Sequence, residues 1–251
     1  DESAFDDNLT AAVFGGAEYG SDSSSYNAWQ YLEGTKVEVG SIYNILSKNN
    51  VKTEKYIGLP ASEDNIKNIS SKQSPDIIHI ATHGFFYPDP EEIQAANTTE
   101  TGELSFRAGS GTYKELTGSN NPLMRSGLVF SGANSSNNSS AEDGVLVAYE
   151  VSNMELLNTK LVVLSACETG LGEIKGSEGV YGLQRAFKMA GVENLIMSLW
   201  KVSDKETKEF MTEFYNNLFT EKDIHKAFIK TQKRMQQKYD PYYWAAFVLV
   251  D

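Results

Sequence analysis

The chain has 251 residues, 40% hydrophobic and 11% aromatic, enough to bury a full core within one domain. Its 22 Lys and Arg against 34 Asp and Glu give a net charge of −12, which excludes a nucleic acid as direct partner because no basic face would release counterions from a polyanion. One cysteine excludes a disulfide framework and a Cys-rich zinc site, and no apolar run reaches the ~18 residues of a helical membrane span.

No metal, cofactor or membrane partner is therefore expected. With no charged-then-apolar leader, the expected setting is a soluble, reducing, cytoplasmic one. The first residue is Asp1 rather than Met, so the chain is expected to be the C-terminal part of a longer protein.

In chain order, Ala11 to Phe14 reads as a strand. Val37 to Leu46 reads as an amphipathic helix carrying Val37, Val39, Ile42, Ile45 and Leu46, and Val51 to Ile57 as a second strand. Ile66 falls in a short helix. Asp76 to Thr82 (DIIHIAT) has the nearly unbroken apolarity of a strand buried on both faces. After Gly84 the pattern degrades through Pro88, Pro90, Asn97 and Gly109 to Gly111, which marks an inserted hairpin and loop region over about residues 85–142. Ser126 to Phe130 and Val145 to Tyr149 read as short strands joined by the polar stretch Asn134 to Asp143. The Asn-x-Ser triplets at Asn134 and Asn138 read as loop composition rather than glycan sites.

Leu161 to Leu164 is a fourth buried strand, and Tyr181 to Ala190 a helix stopped by Gly191. Leu195 to Trp200 is a fifth strand. Asp204 reads as the N-cap of a helix through Leu218, Ile224 to Gln237 as a further helix with Lys230 to Arg234 on its solvated face, and Trp244 to Val250 as a last strand. This alternation is that of βαβ units around a mostly parallel sheet, within a single domain spanning residues 1–251.

Open parallel sheets place their ligand crevice outside the carboxyl ends of the strands. His83, followed by Gly84, ends DIIHIATH, and Cys167, followed by Glu168, Thr169 and Gly170, ends KLVVLSAC. If the two strands are neighbours, their spacing of about 4.8 Å brings both side chains within mutual reach. An imidazole beside a thiol lowers its pKa and later protonates a leaving amine, so the pair reads as base and nucleophile. The backbone N–H groups of Gly84 and Cys167 are the expected oxyanion donors. Core packing alone accounts for either residue taken singly, and only their shared strand-end placement argues against it.

His79 and His83 have the i, i+4 spacing of a zinc-binding helix, but on a strand the rings would stand roughly 13 Å apart. His79 is thus expected to be a hydrogen-bonded core residue and His225 a surface one. The glycines from Gly176 to Gly182 lack the Gly-Lys-Ser/Thr of a phosphate loop, and Glu178 would oppose an anion there. Glu18, Asp22, Glu168 and Asp204 are the candidate substrate-binding acids, with a weak preference for Lys or Arg at P1.

Four segments, IHIATHGF (78–85), LVVLSACETGLG (161–172), GVYGLQRAFKMAG (179–191) and SLWKVSD (198–204), together resemble the CHAT domain family, caspase-like proteins often fused to tetratricopeptide repeats in bacteria. PLMRSGLVFSGA (122–133) and DGVLVAYE (143–150) fit it too. The resemblance implies a caspase/hemoglobinase-like three-layer α/β sandwich: a mostly parallel six-stranded sheet, its last strand antiparallel, with helices on both faces. It also implies a cysteine endopeptidase with a Cys167/His83 dyad acting on a protein or peptide substrate. Control by upstream tetratricopeptide repeats or an activating partner in bacterial signalling or defence follows from the same resemblance. Ser165-Ala166-Cys167-Glu168-Thr169-Gly170 departs from the caspase Gln-Ala-Cys-x-Gly pattern, so aspartate specificity does not carry over. Ser165 stands where a metacaspase-like basic specificity would call for an acid. The competing reading is a caspase-like scaffold that is catalytically silent.

Overall fold

The computed structural model describes residues 8–20, 28–71, 73–86, 121–135, 142–165 and 178–251. Its main sheet contains β1 (Thr10–Gly15), β2 (Lys52–Ile57), β3 (Ile77–Ile80), β7 (Leu161–Leu164), β8 (Asn194–Ser198) and β9 (Phe247–Val250), in the order β2-β1-β3-β7-β8-β9. All neighbours pair in parallel except β9, which runs antiparallel to β8. A smaller antiparallel sheet, β4-β5-β6, is formed by β4 (His83–Phe86), β5 (Ser126–Val129) and β6 (Val145–Val147).

Alternation along each central strand builds two cores. Val13, Ile77, Val163 and Ile196 face α1 (Glu33–Lys48), and on the same side lie α5 (Asp204–Glu221) and α6 (Ile224–Gln236), through Val39, Ile42, Phe210, Phe214 and Phe228. Phe14, Ile78, Ile80 and Val162 face the other way, toward Ile66 of α2 (Glu63–Asn68), Val151 of α3 (Ala148–Val151) and Ala186 and Phe187 of α4 (Glu178–Met189). Burial on both faces explains why the inner strands β1, β3, β7 and β8 read as apolar runs, while the edge strand β2 does not. The three-layer α/β sandwich expected from the sequence, with a mostly parallel six-stranded sheet and an antiparallel last strand, is the fold observed.

Several boundaries differ from the sequence reading. β3 ends at Ile80, because the Thr82 hydroxyl donates to the carbonyl of Val129 and draws the chain toward the second sheet; His83 is the first residue of β4, not the end of β3. β5 stops at Val129, one residue short of Phe130. Tyr149 is helical rather than extended: the Glu150 carboxylate accepts the Val147 amide at 3.0 Å and starts α3. β8 stops at Ser198, whose partner Phe247 is the first residue of β9. Ser203, not Asp204, caps α5, since its extended backbone (ψ 149) lets its side chain accept from the Glu206 amide. Trp244 closes a helical turn, α7 (Pro241–Trp244), entered through Pro241. Gly191 has the predicted left-handed conformation (φ 101) just beyond α4. Most of the expected insertion, residues 87–120 and 136–141, lies outside the described residues.

Candidate functional site

β3 and β7 are parallel neighbours, with Ile77 opposite Leu161 and Ile80 opposite Leu164, and the pairing continues where the Ser165 amide donates to the Ile80 carbonyl at 2.9 Å. The two strands carrying the candidate histidine and cysteine are therefore adjacent in the sheet. Beyond β3 the chain turns at Ala81 and Thr82 and delivers His83 buried. His83 Nε2 lies 2.7 Å from the backbone carbonyl of Gln30. A carbonyl can only accept, so Nε2 carries the hydrogen and the neutral ring keeps its lone pair on Nδ1. That tautomer is the one able to take a proton at Nδ1.

Two aromatic rings flank the imidazole, Tyr19 at 5.1 Å and Trp29 at 5.2 Å between centroids. The Thr82 hydroxyl has its proton committed to Val129, so Tyr19 Oη, 2.8 Å from Thr82 Oγ1, is the donor of that pair. Burial pushes the Tyr19 phenol up to about 12, which keeps this donor protonated at neutral pH.

The sequence reads Asn134 as loop composition. The structure instead buries it, with its side-chain Oδ1 accepting from the Trp29 amide at 2.8 Å and its Nδ2 donating to the carbonyls of Trp29 at 2.9 Å and Gly20 at 3.2 Å. An amide so engaged is no glycan acceptor. The only sequence signal for it was the position of an amide residue just after a strand.

Of the other predicted residues, Gly84 lies in β4 opposite Leu128. Glu18 is exposed, and its carboxylate oxygen lies 3.0 Å from where a Cβ on Gly58 would stand, toward the β2 side of the sheet. Asp204 is exposed, with its carboxylate against Gly34 at the start of α1. Glu18 thus follows β1 and Asp204 opens α5, each set against a different glycine. Asp22, Cys167 and Glu168 lie outside the described residues.

His79 is fully buried, its Nε2 3.0 Å from Glu38 Oε1 and its Nδ1 3.3 Å from Tyr215 Oη, as expected of a core histidine. Burial, reinforced by the Glu38 charge, holds the Tyr215 phenol well above its usual range. His225 is exposed. Glu63, Glu142 and Glu150 have carboxylate oxygens within 4.8 Å of one another, a spacing that could hold a cation. The Lys67 ammonium already sits among them, at 2.7, 2.5 and 2.8 Å. Burial raises the Glu63 carboxyl to about 7 against the opposing pull of Lys67. Among the described residues, no helix is long and apolar enough to cross a membrane.

An open six-stranded sheet with one antiparallel edge and helices on both faces defines a three-layer α/β domain, with a buried histidine just beyond a central strand. The family model of the CHAT domain matches residues 2–251, and the chain belongs to that family. Among curated proteins it is similar to tetratricopeptide repeat protein 28 of Homo sapiens, 31% identical over 109 residues, and to the same-named protein of Mus musculus, 31% identical over 97 residues. These matches cover 42% and 38% of this chain but 4% of each relative. Among solved structures, the Arg-specific cysteine proteinase gingipain R aligns with a TM-score of 0.49 at 11% identity, over 96% of this chain and 45% of that one.

Proposed function

We propose that this domain is a cysteine endopeptidase in which Cys167 is the nucleophile and His83 its base. The observation that carries the reading is the Nε2–H bond from His83 to the Gln30 carbonyl, just beyond β3, the strand next to the one that leads to Cys167. In this mechanism His83 Nδ1 takes the Cys167 thiol proton and the thiolate adds to the scissile carbonyl carbon. The N–H groups of Gly84 and Cys167 receive the developing oxyanion. His83 returns the proton to the departing amine, and water then hydrolyses the thioester to free acid and thiol. Glu18, Asp22, Glu168 and Asp204 supply negative charge around the crevice, which favours Lys or Arg at P1. Upstream repeats or an activating protein control access, in keeping with the tetratricopeptide relatives.

Turnover of a peptide library by wild type and by Cys167→Ala tests the proposal. Cleavage by the wild type alone is expected, and equal cleavage by both would sink it. Indifference of the library to basic P1 residues would remove the specificity while leaving the mechanism. A second reading, a catalytically silent interaction module, is favoured by the small share that the matched segment occupies in long repeat proteins. An alkylating peptide probe that fails to label Cys167 in the presence of its activator would select it.

A further inference from the structure

The base is oriented by a backbone carbonyl, so something must fix that backbone. The segment bearing Gln30 leads into α1, whose first turn is anchored where the Thr35 hydroxyl accepts the Gly16 amide at 3.0 Å. Upstream of Gln30, the hold comes from the turn after β5. Ser131 Oγ accepts the Glu18 amide at 3.1 Å, the Gly132 amide donates to the Glu18 carbonyl at 3.1 Å, and the Asn134 amide donates to the Tyr19 carbonyl at 2.7 Å. Gly20 takes a positive φ of 90, with Ser135 Oγ only 2.8 Å from where a Cβ would stand, so the turn nests directly against residues 18–20.

The Asn134 side chain then spans the remaining gap. One amide accepts the Trp29 N–H and donates to both the Trp29 and Gly20 carbonyls. Trp29 immediately precedes Gln30, and its ring and that of Tyr19 are the two that flank His83. Resting on the dyad reading above, we infer that Asn134 is a positioning residue for the base: it locks Gly20 and Trp29 together and thereby sets the Gln30 carbonyl and the two flanking rings that orient His83. The residue type follows from the three bonds. Only a primary amide offers one acceptor and two donors in a plane, and Gln would carry the group one carbon too far. An Asp in the same place keeps the acceptor for the Trp29 N–H and sets a carboxylate against two carbonyls.

The test reads the pair without needing a substrate. Wild type, His83→Ala, Asn134→Ala and the isosteric Asn134→Asp are alkylated with iodoacetamide from about pH 5 to pH 9, the rate at Cys167 is followed by mass spectrometry, and thermal melts show each variant folded. An oriented imidazole keeps the thiol reactive well below its free pKa of about 8.5. His83→Ala is expected to slow alkylation near pH 6 by about tenfold or more, and Asn134→Ala by roughly three- to tenfold, with rates near pH 9 unchanged. On a cleaved peptide, kcat falls in both Asn134 variants while KM stays. A residue with only a structural role would lower the melting temperature and leave the pH profile of alkylation where it was. That profile in a folded Asn134→Ala or Asn134→Asp, with His83→Ala shifted, overturns the inference alone. An unshifted His83→Ala overturns the dyad and the inference with it.

Discussion

His79 in β3 and His83 at the start of β4 stand four residues apart in the chain and are both buried, yet their surroundings differ in kind. His79 points between α1 and α5, with a carboxylate on one nitrogen and a phenol on the other. His83 sits where the chain passes from one sheet to the next, with a neutral carbonyl on Nε2 and two aromatic rings at its faces. A buried carboxylate beside an imidazole makes an ion pair or its neutral equivalent, whose value lies in tying two elements together. A carbonyl fixes a tautomer without adding charge, which suits a ring that must take up and release a proton. Burial alone therefore does not separate a core histidine from the base proposed at His83; the partner does.

The comparison breaks first at His83. His83→Ala is expected to lower kcat/KM on a cleaved peptide by about 10³-fold, the usual scale of a lost general base, with little change in melting temperature. His79→Ala should do the opposite. It leaves Glu38 buried without its partner, a loss on the order of 3–5 kcal/mol, so calorimetry should show a melting temperature lower by about 10 °C. Cys167 alkylation measured well below that temperature should be unchanged, and a large loss of reactivity would merge the two histidines into one functional unit.

A second buried carboxylate sharpens the contrast between charge that binds elements and charge held at a cost. Glu63 has its ordinary value of 4.5 raised to about 7, chiefly by burial, so the folded state holds a proton that the unfolded state has lost. Its contribution to stability is complete below about pH 4.5 and is lost as the pH rises to about 7. Glu63→Gln is expected to flatten the decline in melting temperature across that window, and an unchanged slope would place the decline elsewhere. The smallest effect is expected at Tyr19. Tyr19→Phe removes one donor to Thr82, which keeps its own bond to Val129, so kcat/KM should change by less than about threefold while the ring still packs on His83.

Much of this was legible in the sequence. Leu161 to Leu164 was bounded as observed, and the role of His79 followed from strand spacing alone. His83 stands out in the sequence by type and neighbourhood, but the reading that ends a strand on it differs from the structure, where it opens β4. His83–Phe86 pairs with residues forty or more positions away, and no local periodicity reports such a partner. The run Val145 to Tyr149 hid a change from strand to helix because short apolar segments look alike in either state, and it was the Glu150 side chain that decided the matter. Gln30 and Asn134 were missed for a plainer reason. Gln30 meets His83 through a carbonyl that every residue possesses, and Asn134 looks like any polar loop residue until its three backbone partners are in place.

The pairing of β3 with β7 also governs when the site comes into being. It joins Ile77 to Leu161, 161 − 77 = 84 positions apart, and closing so long a loop is among the slower steps open to a chain of this kind. Until it closes, the strand leading to His83 and the one leading to Cys167 have no common edge. A ribosome releasing this polypeptide from its N-terminus thus carries the histidine long before its neighbouring strand exists, and the crevice is absent throughout that interval. The topology itself delays assembly of the crevice, before any regulator has bound.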